Sequence, residues 1–261
     1  MSHAFLRAFQ SEWLKKRGSL ASWLVVAGSL FTPAIVVVAR LVNYDKLAKV
    51  YSTSGFWNEL WKSSWESMAI FFLPMGAILA SSLVAQLEFK NNAWKQVHAL
   101  PLSLPTIFFA KLAVILIMMA QFFVLFNLAV YGSALIPFLV VSGVPFPQDP
   151  IPYSRFLIQD LLFYIDCLPI VAAQYLISLQ FRNFLVPVGV GFMAWVGALA
   201  SLSWRFGFII PYSYPILEYL KTSGSHKAVI PTENFHIWAA GYFILFTVAG
   251  LALFATKKEK G

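Results

Sequence analysis

"EFKNNAWKQVHALPLSLP", residues 88–105, interrupts an otherwise apolar part of the chain. Before it stands an apolar run of about Trp65–Leu87. After it a second run starts near Ile107 and ends between Tyr131 and Val141. Each run is long enough to cross a bilayer as a helix, which takes about 20 residues. A segment carrying Glu88, Asn91, Asn92, two lysines and His98 does not belong in hydrocarbon. The break therefore separates two crossings rather than lying inside one.

Working outward, six runs have span character, at about 20–42, 65–87, 107–135, 156–179, 185–204 and 235–255. Hydrophobic residues make up 59% of the 261 and charged residues 11%, whereas soluble domains carry about 25% charged residues. Too little polar surface remains to cover a globule in water. The expected fold class is all-α: one polytopic membrane domain over 1–261 with six transmembrane helices. A membrane β-barrel would show short alternating segments instead. No internal repeat, low-complexity tract or separate soluble domain is visible. No cleavable signal peptide is expected, because the first apolar run is already of span length. The single cysteine, Cys167, excludes a disulfide within the chain and reads as a small buried apolar residue.

The formal charge of +8 would suggest nucleic acid in a soluble chain, but here the basic residues flank apolar runs and set topology. With six spans, the termini and the connections after the second and fourth spans share one side. That side holds Arg7, Lys15, Lys16, Arg17, Lys90, Lys95, Lys111, Arg182, Lys257, Lys258 and Lys260 against only Glu12, Glu88 and Glu259. On the other side Arg40, Lys46, Lys49, Lys62, Arg155, Arg205, Lys221 and Lys227 stand beside about as many acids. The excess places both termini, and the stretch at 88–105, in the cytoplasm.

At helical spacing, Phe5, Leu6, Phe9 and Trp13 gather on one face of the N-terminal segment and Arg7, Ser11 and Lys15 on another. This predicts an interfacial helix over about 4–16, its apolar side in lipid. The same construction on Glu88–Val97 puts Phe89, Ala93, Trp94 and Val97 in one arc, with Lys90 intruding. Glu88, Asn91, Asn92, Lys95, Gln96 and His98 fill the other. A short amphipathic cytoplasmic helix results, with an apolar side to pack on the bundle and a polar side to meet a partner. Pro101 and Pro105 force an extended exit toward the third span.

Candidate chemistry is sparse. His3, His98, His226 and His236 have no ligand spacing, so no metal site is expected. Asp160 and Asp166 fall in the fourth span near its outer end, six positions apart and poorly placed to share a face. Intramembrane acids are costly and often functional; Asp166 is the better candidate, with Arg155 or Arg205 as conceivable partners. Gly189, Gly191 and Gly197 permit close helix approach in the fifth span. Between the fifth and sixth spans, Pro211, Pro215 and Pro231 break a segment too aromatic for a free loop. Aromatic residues of this kind settle at membrane interfaces. No Ser-His-Asp, paired-carboxylate or Cys-His arrangement stands out. No G-x-x-x-x-G-K-[ST] occurs, so this chain has no phosphate-cradling loop of its own.

"LEFKNNAWKQVHALPLSLPTIFFAK" resembles the segment after the second span of type-2 ABC exporter permeases: a Glu, a polar stretch, a Leu-Pro and Ser-containing turn, then a Lys opening the third span. The likeness is closest to permeases of the lantibiotic-immunity and bacitracin-resistance kind. In them an Arg often follows the Pro-Ser turn, where this chain reads "LSLPTI". "FLRAFQSEWLKKRGSLASWL" resembles the family's opening helix, which carries Glu and Lys, and the six-span plan covers nearly the whole chain. The resemblance implies that 88–97 is a coupling helix that docks a separate cytosolic ABC ATPase through Glu88, Phe89, Asn91, Asn92, Trp94 and Lys95. ATP and Mg would be bound in that partner and no cofactor by this chain. It further implies a bacterial inner-membrane location, a dimer with a second copy or a paralogous permease, and short re-entrant or interfacial helices over Phe208–Leu220 that cover the exit path, with an outer gate at Phe208, Ile209, Ile210 and Tyr212. The cargo would be hydrophobic or amphipathic, such as an antimicrobial peptide. Membrane lipids are the other partners and nucleic acid is not one. Two rivals stand beside this reading: a non-transporting regulatory or sensory permease, and a membrane-embedded enzyme acting on lipids. The latter would need a polar cluster at one depth, and the spans offer few polar groups beyond Gln86, Gln121, Asn127, Asp166 and Gln174.

Overall fold

Apolar runs that cannot leave a backbone group unpaired in lipid must be helical, and the computed structural model shows them so. It describes residues 2–90, 103–224 and 231–256, with the backbone alone at 2 and 88–90. Helix α1 (Ser2–Lys16) is followed by α2 (Leu20–Val42), the short α3 (Leu47–Tyr51) and α4 (Phe56–Ser67). After α4 come α5 (Leu73–Lys90), α6 (Leu104–Val140), α7 (Tyr153–Gln180), α8 (Leu185–Ala200), α9 (Tyr214–Ser223) and α10 (Phe235–Thr256). Five stretches among the described residues are long and apolar enough to cross a membrane: α2, Phe56–Leu87, α6, α7 and α10. The expected fifth span, 185–204, is shorter than predicted: α8 ends at Ala200 and the chain turns through 201–206.

The second crossing starts earlier than Trp65. Although "FWNELWKSSWES" is too polar to read as a span, it is amphipathic, and α4 buries Phe56, Trp57, Leu60, Trp61 and Trp65 along one side. Trp65 lies flat on Phe163 of α7, ring centroids 4.0 Å apart. Between α4 and α5 the helix widens into a π segment, Met68–Phe72. Pro74 accounts for it. Proline has no N–H, so the carbonyl four residues earlier, Ile70, loses its helical donor. The indole Nε1–H of Trp195 on α8 takes that place, 2.8 Å from the Ile70 oxygen. Pro137 in α6 frees Ser133 in the same way, and Arg40 on α2 donates to that oxygen at 3.0 Å. Two prolines thus turn into two inter-helix ties rather than two unpaired carbonyls.

Helix α6 spans 37 residues, about 55 Å at 1.5 Å per residue, well beyond a hydrocarbon core of about 30 Å. It begins at the Ser103 cap, whose hydroxyl accepts from Thr106 N–H. Pro105 therefore stands inside the first turn, where its missing N–H costs nothing, and not in an extended approach. Helix α2 packs along α6, Gly28 facing the Phe122 ring. Helix α10 runs parallel to α7, with Gly250 against Leu176 and Phe108. Since His236 at its start meets Asp166 half-way along α7, α10 covers only the second half of that helix. We call the bundle end with α1, Gln86 and Gln180 the α1 end, and the opposite one the α3 end.

Helix α1 lies on α6, but not by the face expected. Ala8, Glu12 and Lys16, four residues apart, are its buried line, while Phe9 and Trp13 flank it against the core and Leu6 and Leu14 stay exposed. The reason is an ion pair: Lys111 of α6 is 1% exposed, and its ammonium lies 2.8 Å from Glu12. Lys15 holds the other carboxylate oxygen and Lys16 donates to Gln121 at 2.9 Å. Burial alone would raise the Glu12 carboxyl; the charge of Lys111, with hydrogen bonds from Lys111 and Lys15, outweighs it and holds the group below the usual range.

Candidate functional site

Among the described residues, two sets of buried polar groups are anchored on α7. The first starts at the α1 end. Gln86, near the end of α5, donates to Phe181 O at 2.7 Å and lies 3.4 Å from Ser178 O. One turn back, Ser82 is 3.1 Å from the hydroxyl of Ser178 and accepts from Gln174 Nε2 at 3.1 Å. The same amide nitrogen reaches Pro187 O on α8, and Gln174 Oε1 accepts from the Tyr212 hydroxyl at 3.1 Å. Gln174 is fully buried with all its partners found inside the protein, as a polar group in this setting must be. Gly191 explains the fit: a Cβ there would come within 2.6 Å of Gln174 Oε1 and 2.9 Å of Ile78. Of the three glycines predicted to allow close approach, Gly191 is the one that does, for Gly189 and Gly197 face open space.

Tyr212 belongs to the segment between α8 and α10. Its two 3-10 turns, Gly207–Ile209 and Pro211–Ser213, lead into α9, whose Tyr214–Leu220 are all buried. The predicted helices in Phe208–Leu220 are present, yet the four candidate gate residues do not share one direction. Phe208 meets Trp238 of α10, ring centroids 5.9 Å apart; Ile209 is exposed; Ile210 is half-buried; Tyr212 turns inward to Gln174. Burial pushes the Tyr212 phenol up, so it stays a neutral donor.

The second set is built on Asp166, which is completely buried half-way along α7 and not near its end as the sequence suggested. Its partner is neither arginine. Arg155 reaches Asn58 and Arg205 lies over Phe206. Asp166 Oδ1 instead stands 2.7 Å from His236 Nδ1, and His236 Nε2 stands 3.5 Å from Glu218 Oε2 on α9. Thr222 donates to the other Glu218 oxygen at 3.1 Å, and the Lys221 ammonium is 3.9 Å away. One ligand atom from each of Asp166, Glu218 and His236 lies within 4.8 Å of the others. The expectation of no metal site rested on spacing along the chain. His236 and Asp166 are 70 positions apart, so no local pattern could have paired them, and Glu218 was not singled out. The one available signal was a histidine opening an apolar run, facing some helix that must satisfy it.

The docking candidates fall at the margin of what is described. Glu88 and Phe89 continue α5 in backbone, and Asn91, Asn92, Trp94 and Lys95 lie outside the described residues. At the α1 end a cleft is lined by Gly18, Leu20, Leu83, Leu87, Arg182 and Phe184.

A family model described as "ABC-2 family transporter protein" matches residues 8–198. The chain belongs to the ABC-2 transporter family. No curated protein and no solved structure matches it. The permease is accordingly a multi-pass membrane subunit of an ABC transporter, a class that associates with an ABC ATPase. The match runs from α1 to the greater part of α8, so it includes the Gln174 network except for Tyr212, and Asp166 but neither Glu218 nor His236.

Proposed function

We propose that this permease is the membrane subunit of an ATP-driven exporter, forming the translocation path as a dimer and docking a separate ATPase through residues 88–97. The observation that carries the reading is the family match over α1–α8 in a chain without a nucleotide-binding loop. ATP and Mg are bound by the partner. Closure of the ATPases moves the coupling helices and switches the opening of the path. Its place is the bacterial inner membrane, with the α1 end and both termini in the cytoplasm, as the lysine and arginine excess requires. Helix α1 lies at the interface, and the 16-residue α8 makes a short sixth crossing. The cargo is hydrophobic or amphipathic, such as an antimicrobial peptide.

Several features support this reading. Glu88 follows Gln86 by two residues, so a displacement of the docking segment acts directly on the amide that grips the end of α7. The Gln174 bond then reaches Tyr212 and the segment that precedes α9. Exposed apolar faces on α2 (Trp23, Phe31, Val38) and α8 (Val190, Met193) offer surface to lipid and to a second copy. The lipid-enzyme reading draws on the Asp166–Glu218–His236 group, the kind of polar cluster it needs, but no nucleophile is hydrogen-bonded to His236 among the described residues. The test is reconstitution. Hydrolysis of ATP should need an added ABC ATPase, which should co-purify with the permease. Nucleotide binding by the isolated chain, or turnover of lipid without ATP, would overturn the reading.

A further inference from the structure

The proposed transport function makes no use of the Asp166–Glu218–His236 group, yet its geometry is specific. An ionised carboxylate only accepts, so Asp166 Oδ1, 2.7 Å from Nδ1, fixes the imidazole with its proton on Nδ1. The lone pair is then on Nε2. That nitrogen faces Glu218 Oε2 at 3.5 Å, and neither atom has a hydrogen-bond partner. Two buried acceptors face to face repel unless a proton or a metal cation lies between them, and at 3.5 Å with no hydrogen bond formed the spacing suits the larger ion. Zinc-type ions bind imidazole nitrogen and carboxylate oxygen at about 2.0–2.2 Å in tetrahedral geometry, which sets such donor atoms roughly 3.4 Å apart. The observed 3.5 Å is that spacing.

The surroundings fit a metal ligand pair as well. A ligating histidine ordinarily gives its other N–H to a carboxylate, and a ligating carboxylate is itself hydrogen-bonded. Asp166 does the first and the Thr222 hydroxyl, 3.1 Å from Glu218 Oε1, does the second. Asp166 is 0% exposed and Glu218 2% exposed, and Asp166 Oδ2 also lacks a partner. Among the described residues the competing cation is Lys221, half-exposed and 3.9 Å from Glu218 Oε2, at the limit of an ion pair, with its ammonium also over the Phe235 ring.

We propose that Glu218 and His236 bind a divalent cation of the zinc type, with Asp166 as the residue that positions the imidazole. Such an ion would tie α9 to α10 across the flank of α7. Water or a cargo group would complete its coordination, since two protein donors leave positions open.

The test uses the full chain, without a histidine tag, purified in detergent and stripped with chelator; it needs no ATPase and is independent of the exporter reading. Titration calorimetry with Zn²⁺ should show one ion per chain, and Zn²⁺ should raise the thermal midpoint of the unaltered protein. Co²⁺ should give the visible absorption of a low-symmetry site. His236→Ala and Glu218→Gln should each abolish the stoichiometric uptake. Asp166→Asn should keep one site but weaken it about 10–100-fold. Replacing His3, His98 and His226 together by Ala should change nothing. The proposal is overturned if the unaltered chain takes up no Zn²⁺ and shows no shift in midpoint. It is equally overturned if uptake persists in both His236→Ala and Glu218→Gln, or disappears when the other three histidines are replaced.

Discussion

Glu12→Gln is the most revealing single change in the permease. It deletes a charge partner of a lysine that is 1% exposed and held at 2.8 Å. Removing one member of a buried ion pair costs about 3–5 kcal/mol. Lys15 cannot take over, as it is itself a cation. Helix α1 should therefore lift from α6, and a cysteine at Ala8, now 5% exposed, should become reactive in a Cys167→Ser background. Unfolding in detergent followed by intrinsic fluorescence should show the lowered midpoint. The double change Glu12→Gln with Lys111→Met should recover much of it, because exchanging a buried pair for apolar residues is often neutral or better. The pH dependence has a definite sign. The Glu12 carboxyl titrates below its ordinary 4.5 in the folded protein, so the pair's contribution is fully present above that value and is lost as the pH falls through the lower, folded one. The gap between unaltered protein and Glu12→Gln should be constant near neutrality and close only below pH 4.5. An unchanged midpoint and an unreactive position 8 in Glu12→Gln would refute the reasoning.

Trp195→Phe removes the donor to Ile70 O and should lower stability by about 1–3 kcal/mol, the cost of an unpaired buried carbonyl, read as a shift in the denaturation midpoint. Gly191→Ala should cost about 1–3 kcal/mol by overpacking against Gln174 and Ile78, whereas Gly189→Ala, which meets open space, should stay within about 0.5 kcal/mol. In the docking segment, Glu88→Lys and Trp94→Ala should yield inserted, stable protein that no longer co-purifies with its ATPase, a loss of about 2 kcal/mol or more for an interface anchor, while Gln96→Ala should retain it. Labelling of cysteines placed at positions 46 and 227 from outside intact cells, and at 91 and 258 only after permeabilisation, should confirm the orientation.

The class of the fold was legible because hydrocarbon imposes length and apolarity on every crossing. The limits of the helices were less so, for physical reasons that particular residues show. Phe56–Ser67 is too polar to read as part of a span, yet its tryptophans find cover on α7 and carry the helix on. Leu202 and Trp204 extend the apolar run past Ala200, but hydropathy carries no information about where a helix ends in a turn. For α1, a periodicity argument assigns the apolar face to lipid. It cannot weigh a buried lysine 99 positions away that draws Glu12 inward. Asp166 was recognisable as an acid needing a partner, whereas the identity of the partner depends on how α10 lies beside α7, which no local pattern encodes.

That placement of α10 bears on how the permease could work. Helix α7 is gripped at its α1 end by Gln86, six residues before that end by Tyr212 through Gln174, and at its middle by His236 through Asp166. The first grip belongs to the helix that leads into the docking segment, the second to the turn before α9, and the third to α10 and, with the proposed cation between His236 and Glu218, to α9 as well. With that ion bound, two of the three would fasten the segment between α8 and α10, at points on α7 eight residues, or about 12 Å, apart. A rigid displacement of α7 along its axis would carry that segment with it; a rotation would strain one grip against the other. Polar contacts buried this deeply are costly to break singly, so α7 and the turn that carries Tyr212 should shift together. A shift of α7 against α5 and α6 would instead have to break the bonds of Gln86 to Phe181, of Gln174 to Ser82, of Tyr164 to Leu116 and of Tyr175 to Phe108.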